Sequence, residues 1–146
     1  MEELNSADLQ GLFVFQLLHP DELEELVPIF TKKIYLPDMT VFSEGSKGES
    51  MYIIKSGAVK VVKNAEEIIQ LAGGDFFGEV ALFDYAVRTA SIIATENTIL
   101  LEINRQDFNK LFTKSAHIVA KILYQMMTEM SRRLRRKNNP GGGLVF

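Results

Sequence analysis

The chain has no cysteine and no tryptophan, and it carries two histidines and four prolines. Without cysteine there is no disulfide, no thiolate nucleophile and no Cys-type zinc site. His19 and His117 both lie in helix-boundary contexts outside the β-rich middle of the chain. A metalloenzyme barrel needs histidines and carboxylates clustered on its strands, so that class fails. Long apolar runs are missing too. None approaches the roughly 18 residues that a membrane-spanning helix requires. The acidic start MEELNSADLQ has none of the features of a signal peptide, and a cytoplasmic location is expected.

Positive charge is scarce outside one place. The net charge is −3, from 16 Lys and Arg against 19 Asp and Glu. The run RRLRRK over 132–137 holds five of those bases, which leaves eleven against nineteen acids, a body at −8. Such a body repels an anionic ligand at long range, so a site for one needs a local cation.

What remains is an ordinary globular composition with three zones. A single domain is expected over 1–137, followed by a flexible tail over 138–146. Residues 5–34 read as helical: LQGLFVFQLL recurs as a helix does, and in HPDELEELVPIF Pro20 opens a helix with Asp21 and Glu22 in its first turn. Leu23, Leu26, Val27 and Phe30 share one face of it. Over 34–103 the pattern changes to short β-branched and aromatic runs, IYLPDMTVF, SMYIIKSGAVKVVK, EEIIQLA and RTASIIATENTILLEI. The intervening SEGSKGES, SGA and AGGD are turn material. Strands this short and this closely spaced predict an antiparallel sandwich or barrel. The fold class is therefore mainly β with flanking helices: a β-roll or jelly-roll barrel, N-terminal helices and two C-terminal helices over 105–137. Asn104 and Ser115 are the predicted caps of those last two helices. Val119, Ile122, Leu123, Met126, Met130 and Leu134 form an apolar stripe on the second.

The stretch GDFFGEVALFDYAVRTAS, residues 74–91, sets the Glu79 carboxylate and the Arg88 guanidinium on either side of a largely apolar run. Lying between two strands, GEVAL predicts a short helical turn after Gly78, whose N-terminal amides suit an anion. Glycine lets the backbone approach a ligand closely. Arg88 supplies a bidentate fork for the same anion. Glu79 would repel that anion unless it accepts a hydrogen bond from a hydroxyl set apart from the charge. An anion rigidly joined to a vicinal hydroxyl describes a ribose phosphate.

FFGEVAL followed by RTAS resembles the phosphate-binding cassette of the cyclic nucleotide-binding domain family. MTVFSEGSKGESMYIIKSGAVKVV is similar to that family's early strands, with Gly45, Gly48 and Gly57 in its turn positions. The resemblance covers about residues 10–136. It implies that Glu79 binds the ribose 2′-hydroxyl and Arg88 the exocyclic oxygens of the cyclic phosphate. Gly78 and Val80 would complete the cassette, amides around Ala81 and Leu82 would add phosphate contacts, and Ala90 would lie in its closing strand. Thr89 stands where the family touches phosphate or base, and a hydroxyl there is compatible with both cAMP and cGMP. The family often caps the purine from its last helix; by spacing the candidates are Met126, Glu129, Met130 and Arg133.

The implied function is a cyclic nucleotide sensor that signals by moving its C-terminal helix, with no cofactor, metal or chemistry. Its expected partners are cAMP or cGMP, a second copy of itself through the stripe at 118–134, and a downstream protein the sequence does not identify. Rival readings are a piece of a larger cAMP-responsive transcription regulator or channel, and a scaffold with a vestigial pocket. Gly45, Gly48 and Gly57 read as turn glycines without a ligand role, and Phe76 and Phe77 as core. RRLRRK invites a nucleic-acid partner, but bases in the last turns of a helix complement its dipole and are solvated, so direct DNA binding is not expected.

Overall fold

The computed structural model describes residues 3–84 and 87–135. Its eight strands are β1 (Thr31–Tyr35), β2 (Thr40–Phe42), β3 (Ser50–Ser56), β4 (Ala58–Lys63), β5 (Glu66–Ala72), β6 (Phe76–Phe77), β7 (Ser91–Ala94) and β8 (Thr98–Asn104). They pair antiparallel in two four-stranded sheets, ordered β1-β8-β3-β6 and β2-β7-β4-β5. The helices are α1 (Ser6–Leu9), α2 (Pro20–Leu26), α3 (Arg105–Lys114) and α4 (Ala116–Arg135), with 3-10 turns at Phe13–Phe15 and Glu79–Leu82. This is the roll with flanking helices that the strand pattern predicts.

Alternation along the strands builds two cores from one sheet. In β3, Met51 and Ile53 join Phe76, Leu101 and Ile103 against the helices. Tyr52 and Ile54 point the other way, with Phe77, Leu100 and Ile92, into the space between the sheets. Phe76 and Phe77 are thus core, as expected, but in different layers. The strand they form ends where the Glu79–Leu82 turn begins, so the turn hangs at the junction between roll and helices.

The N-terminal helical reading needs shortening. Gly11 has φ +84°, and the helix expected across LQGLFVFQLL is broken there into α1 and a 3-10 turn. Pro20 does open α2, with Asp21 and Glu22 in the first turn, but β1 begins at Thr31, inside the stretch read as helical. Asn104 caps α3, its side-chain oxygen accepting the Asp107 N–H at 2.8 Å. The Ser115 hydroxyl instead donates to Glu25 at 3.3 Å.

The apolar stripe of α4 is not bare. Val119, Ile122 and Met126 are buried in the helical core, with Leu123 and Met130 packed against it. Only Leu134 departs, exposed, while its neighbour Arg133 is buried. A dimer contact through the stripe as read would displace this domain's own core. The large apolar side chains that α4 does expose are Tyr124, Met127 and Leu134. The tail expected over 138–146 lies outside the described residues, as do Arg136 and Lys137 of the basic run. Among the described residues no helix is long and apolar enough to cross a membrane.

Two partly or wholly buried carboxylates pin the strands. Burial alone would raise Asp8, but the Asn5 N–H and Lys55 and Lys32 outweigh it and hold the carboxyl below its ordinary 3.8. Burial likewise opposes Glu102, where hydrogen bonds from Lys33, Ser50 and Tyr52 hold the carboxyl below 4.5. A carboxyl whose folded pKa is depressed stabilises fully above its unfolded pKa, and that contribution is lost as pH falls through the folded value. The urea midpoint should therefore hold from neutral pH down to about pH 5 and decline steeply below it. A midpoint unchanged down to pH 3 would show that these pairs contribute nothing.

Candidate functional site

The Glu79–Leu82 turn starts from Gly78, whose φ of +78° is left-handed. That conformation, open to glycine, lets the chain leave β6 and reverse over the mouth of the roll. The Ala81 N–H donates to the Gly78 carbonyl at 3.2 Å. An amide assigned by resemblance to phosphate is thus engaged inside the turn here. Val80, Ala81, Arg88, Thr89 and Ala90 line one shallow concavity with Phe42 and Val87, closed to little more than the space of one water. Five of the predicted binding residues therefore meet around one hollow. Leu82 does not join them: it is buried in the helical core.

Arg88 is 7% exposed. Its Nη1 donates to the Gly78 carbonyl at 3.2 Å and its Nη2 to the Ser50 carbonyl at 2.8 Å. The guanidinium lies 4.0 Å over the Phe42 ring. Among the described residues no carboxylate stands within ion-pair distance of it, and its buried Nε has no hydrogen-bond partner. Burial pulls its pKa down, while the carboxylates of Glu102 and Glu79 push the other way. A buried cation held only by carbonyls and a ring retains a strong demand for an anion.

Gly48 makes that seat, which corrects its reading as a turn glycine. A Cβ at position 48 would overlap Nε, Cζ and Nη2 of Arg88. Its φ is not left-handed, unlike those of Gly45 at +84° and Gly57 at +94°. Glycine is required at 48 for close approach, not for a turn. Ser50 and Phe42, which also hold the guanidinium, carry no sequence signal beyond their strands.

Glu79, 1% exposed, turns away from this hollow towards α4. Its Oε1 accepts from Nη1 of Arg133 at 3.2 Å. The Arg133 side chain, with no exposed surface, also donates through Nε to Glu129 at 3.4 Å and through Nη2 to the Phe76 carbonyl at 2.6 Å. Its plane lies 4.5 Å over the Phe76 ring. Of the four lid candidates, Met126 is core, Met130 is packed against the core, and Glu129 serves Arg133. Arg133 reaches the cassette directly. The basic run is accordingly not one solvated face: Arg132 pairs with Glu129 at 3.2 Å and lies over Phe13, and Arg133 is interior.

Arg105, which the sequence reading passed over, is the third guanidinium here. Its Nε donates to the Ala81 carbonyl at 2.8 Å and its Nη2 to that of Asp84 at 3.0 Å. An arginine opening a helix is unfavourable for the dipole. That local mismatch is the signal that a tertiary contact holds it.

Comparison with known proteins gives a consistent answer. Residues 32–115 match the family model described as cyclic nucleotide-binding domain. The chain is 30% identical over 129 residues to a cyclic AMP receptor protein of Thermus thermophilus, covering 83% of this chain and 60% of that one. It is 36% identical over 110 residues to a cGMP-dependent protein kinase of Caenorhabditis elegans, covering 70% of this chain and 14% of the kinase. It thus spans less than two thirds of either relative. A crystallised cyclic nucleotide-binding domain from Methylobacillus flagellatus superposes with a TM-score of 0.79 at 22% identity, over 88% of this chain and 75% of that one.

The Glu79–Arg133 pair is the joint between turn and helix, and a double-mutant cycle measures it. Arg133→Gln should destabilise the protein by about 3–5 kcal/mol, because it strips the cation from buried carboxylates. In a Glu79→Gln background the same change should cost at least about 1 kcal/mol less. Urea unfolding of the four proteins gives the coupling; strict additivity would mean that the two side chains do not act as a pair.

Proposed function

The chain belongs to the cyclic nucleotide-binding domain family, and we propose that it is a cytoplasmic sensor that binds cAMP without chemistry and signals through α4. Residues 1–137 serve as its single domain. One observation carries the reading: Arg88 is a buried cation with no ion-paired carboxylate among the described residues, at the wall of a concavity beside the Gly78 turn. A cyclic phosphate supplies the missing charge and accepts from Nε and the spare Nη hydrogens. Thr89 lines the same hollow, a position compatible with cGMP as well. Of the two relatives described above, one is named for each nucleotide.

Signalling follows from Glu79. A ribose hydroxyl accepted by this carboxylate would bear on the same group that holds Arg133. Ligand occupancy and the docking of α4 are then linked, and the nucleotide shifts the helix between states in proportion to its differential affinity for them. Arg133 is therefore the residue we assign to α4 in the site. Homodimerisation falls to the exposed face carrying Tyr124, Met127 and Leu134; equilibrium sedimentation of Met127→Asp, monomeric where the parent is dimeric, tests it.

A thermal-shift screen with cAMP, cGMP and AMP is the first test. The cyclic nucleotides should raise the midpoint and AMP should not; no shift with either would overturn the reading. By calorimetry, Arg88→Ala should lose about 2–5 kcal/mol of binding, roughly 30-fold to several thousandfold. Gly48→Ala should weaken binding in the same direction by displacing the guanidinium, while the fold persists. Equal affinity in Arg88→Ala would remove the phosphate assignment.

A further inference from the structure

Arg105 is the first residue of α3, 8% exposed, and it touches three segments at once. Its backbone N–H donates to the Glu49 carbonyl at 2.6 Å. Glu49 stands between Gly48, which seats Arg88, and Ser50, whose carbonyl accepts from Arg88. Its guanidinium takes the carbonyls of Ala81 and Asp84, at the far end of the turn from Gly78. Its Nη1 lies 3.9 Å from the Glu49 carboxylate, which is too solvated to fix it in place.

We infer that Arg105 is a positioning residue of the nucleotide site and the link that makes a displacement of the turn a displacement of α3. This rests on the nucleotide-binding reading above. Two physical effects combine. The first is rigidity: a planar fork on two carbonyls three residues apart fixes the turn's pitch and orientation, where a single-point cation would not. The second is polarisation: the Ala81 carbonyl belongs to the same peptide unit as the Leu82 N–H, so a cation on that oxygen strengthens the donor on the other side. Arg105 touches no part of the hollow itself, since Val80, Ala81, Arg88, Thr89 and Ala90 line it. It acts through the backbone that carries those residues. α3 packs on α4 and caps against the end of β8, so this side chain joins the turn to α3, and α4 meets it only through α3.

The test compares wild type, Arg105→Lys and Arg105→Gln, in full-length chains checked for folding by circular dichroism. Calorimetry with cAMP should show Arg105→Gln weakened about 10- to 100-fold, and Arg105→Lys intermediate because charge without the fork restores only part. Hydrogen exchange supplies the readout that a merely stabilising role would leave alone. In wild type, cAMP should change protection of 79–84 and of α3 together; in Arg105→Gln the change at 79–84 should no longer reach α3. Affinity within threefold of wild type with an intact α3 response would overturn the inference. Should wild type bind neither cAMP nor cGMP, the nucleotide reading fails, and exchange without ligand decides about Arg105. Faster exchange at both 79–84 and the first turn of α3 in Arg105→Gln then supports the link, and faster exchange in one segment alone overturns it. Should Arg105→Gln not fold, the same readings are taken on Arg105→Lys.

Discussion

A guanidinium from the last helix lies wholly inside the domain, bonded to a carboxylate on a strand-end turn, a second carboxylate one helical turn back and the Phe76 carbonyl. Burying Arg133 this way is costly unless its donors are met, and three different acceptors meet them. The register of α4 on the roll follows from that arrangement. The apolar stripe is compatible with small slides of the helix, because Met126 and Met130 adapt to irregular gaps. A planar fork on fixed acceptors is not.

Much of this architecture was legible in the residues. Pro20, the alternation in AVKVVK and the Asn104 cap gave the element types, because each is a local preference that the tertiary structure respects. Gly11 was readable too but was outweighed by the apolar recurrence around it, although its left-handed φ ends the helix. In the site, Gly78, Glu79 and Arg88 stood out through their chemistry. Gly48 did not, because a glycine in a turn-rich stretch and a glycine under a guanidinium look alike until the fold brings residue 88 over residue 48. Arg133 was one of four spacing-based candidates, and only burial separates it from its neighbours. Leu134, read as stripe, and Arg133, read as solvated base, exchange roles because the helix presents the arginine, not the leucine, to the roll.

Placed side by side, Arg88, Arg105 and Arg133 explain how a body with more acids than bases prepares a site for an anion. Each comes from a different element: the loop before β7, the start of α3 and the end of α4. All three converge on the segment from Phe76 to Asp84, taking the Phe76, Gly78, Ala81 and Asp84 carbonyls and the Glu79 carboxylate. Only Arg88 lines the hollow; the other two guanidiniums are engaged behind it.

This division has a mechanical consequence. On the proposed reading, an anion drawn to Arg88 loads a turn whose two ends are held by separate helices. If the turn moves as a unit, α3 follows through two carbonyl bonds and α4 through one ion pair. The attachments differ in kind. The Arg105 bonds take backbone carbonyls. The Glu79–Arg133 bond uses the carboxylate that the proposed reading also offers to a ribose hydroxyl. On that reading the joint that shares its acceptor with the ligand lies on the terminal helix, and the joint that does not lies on α3.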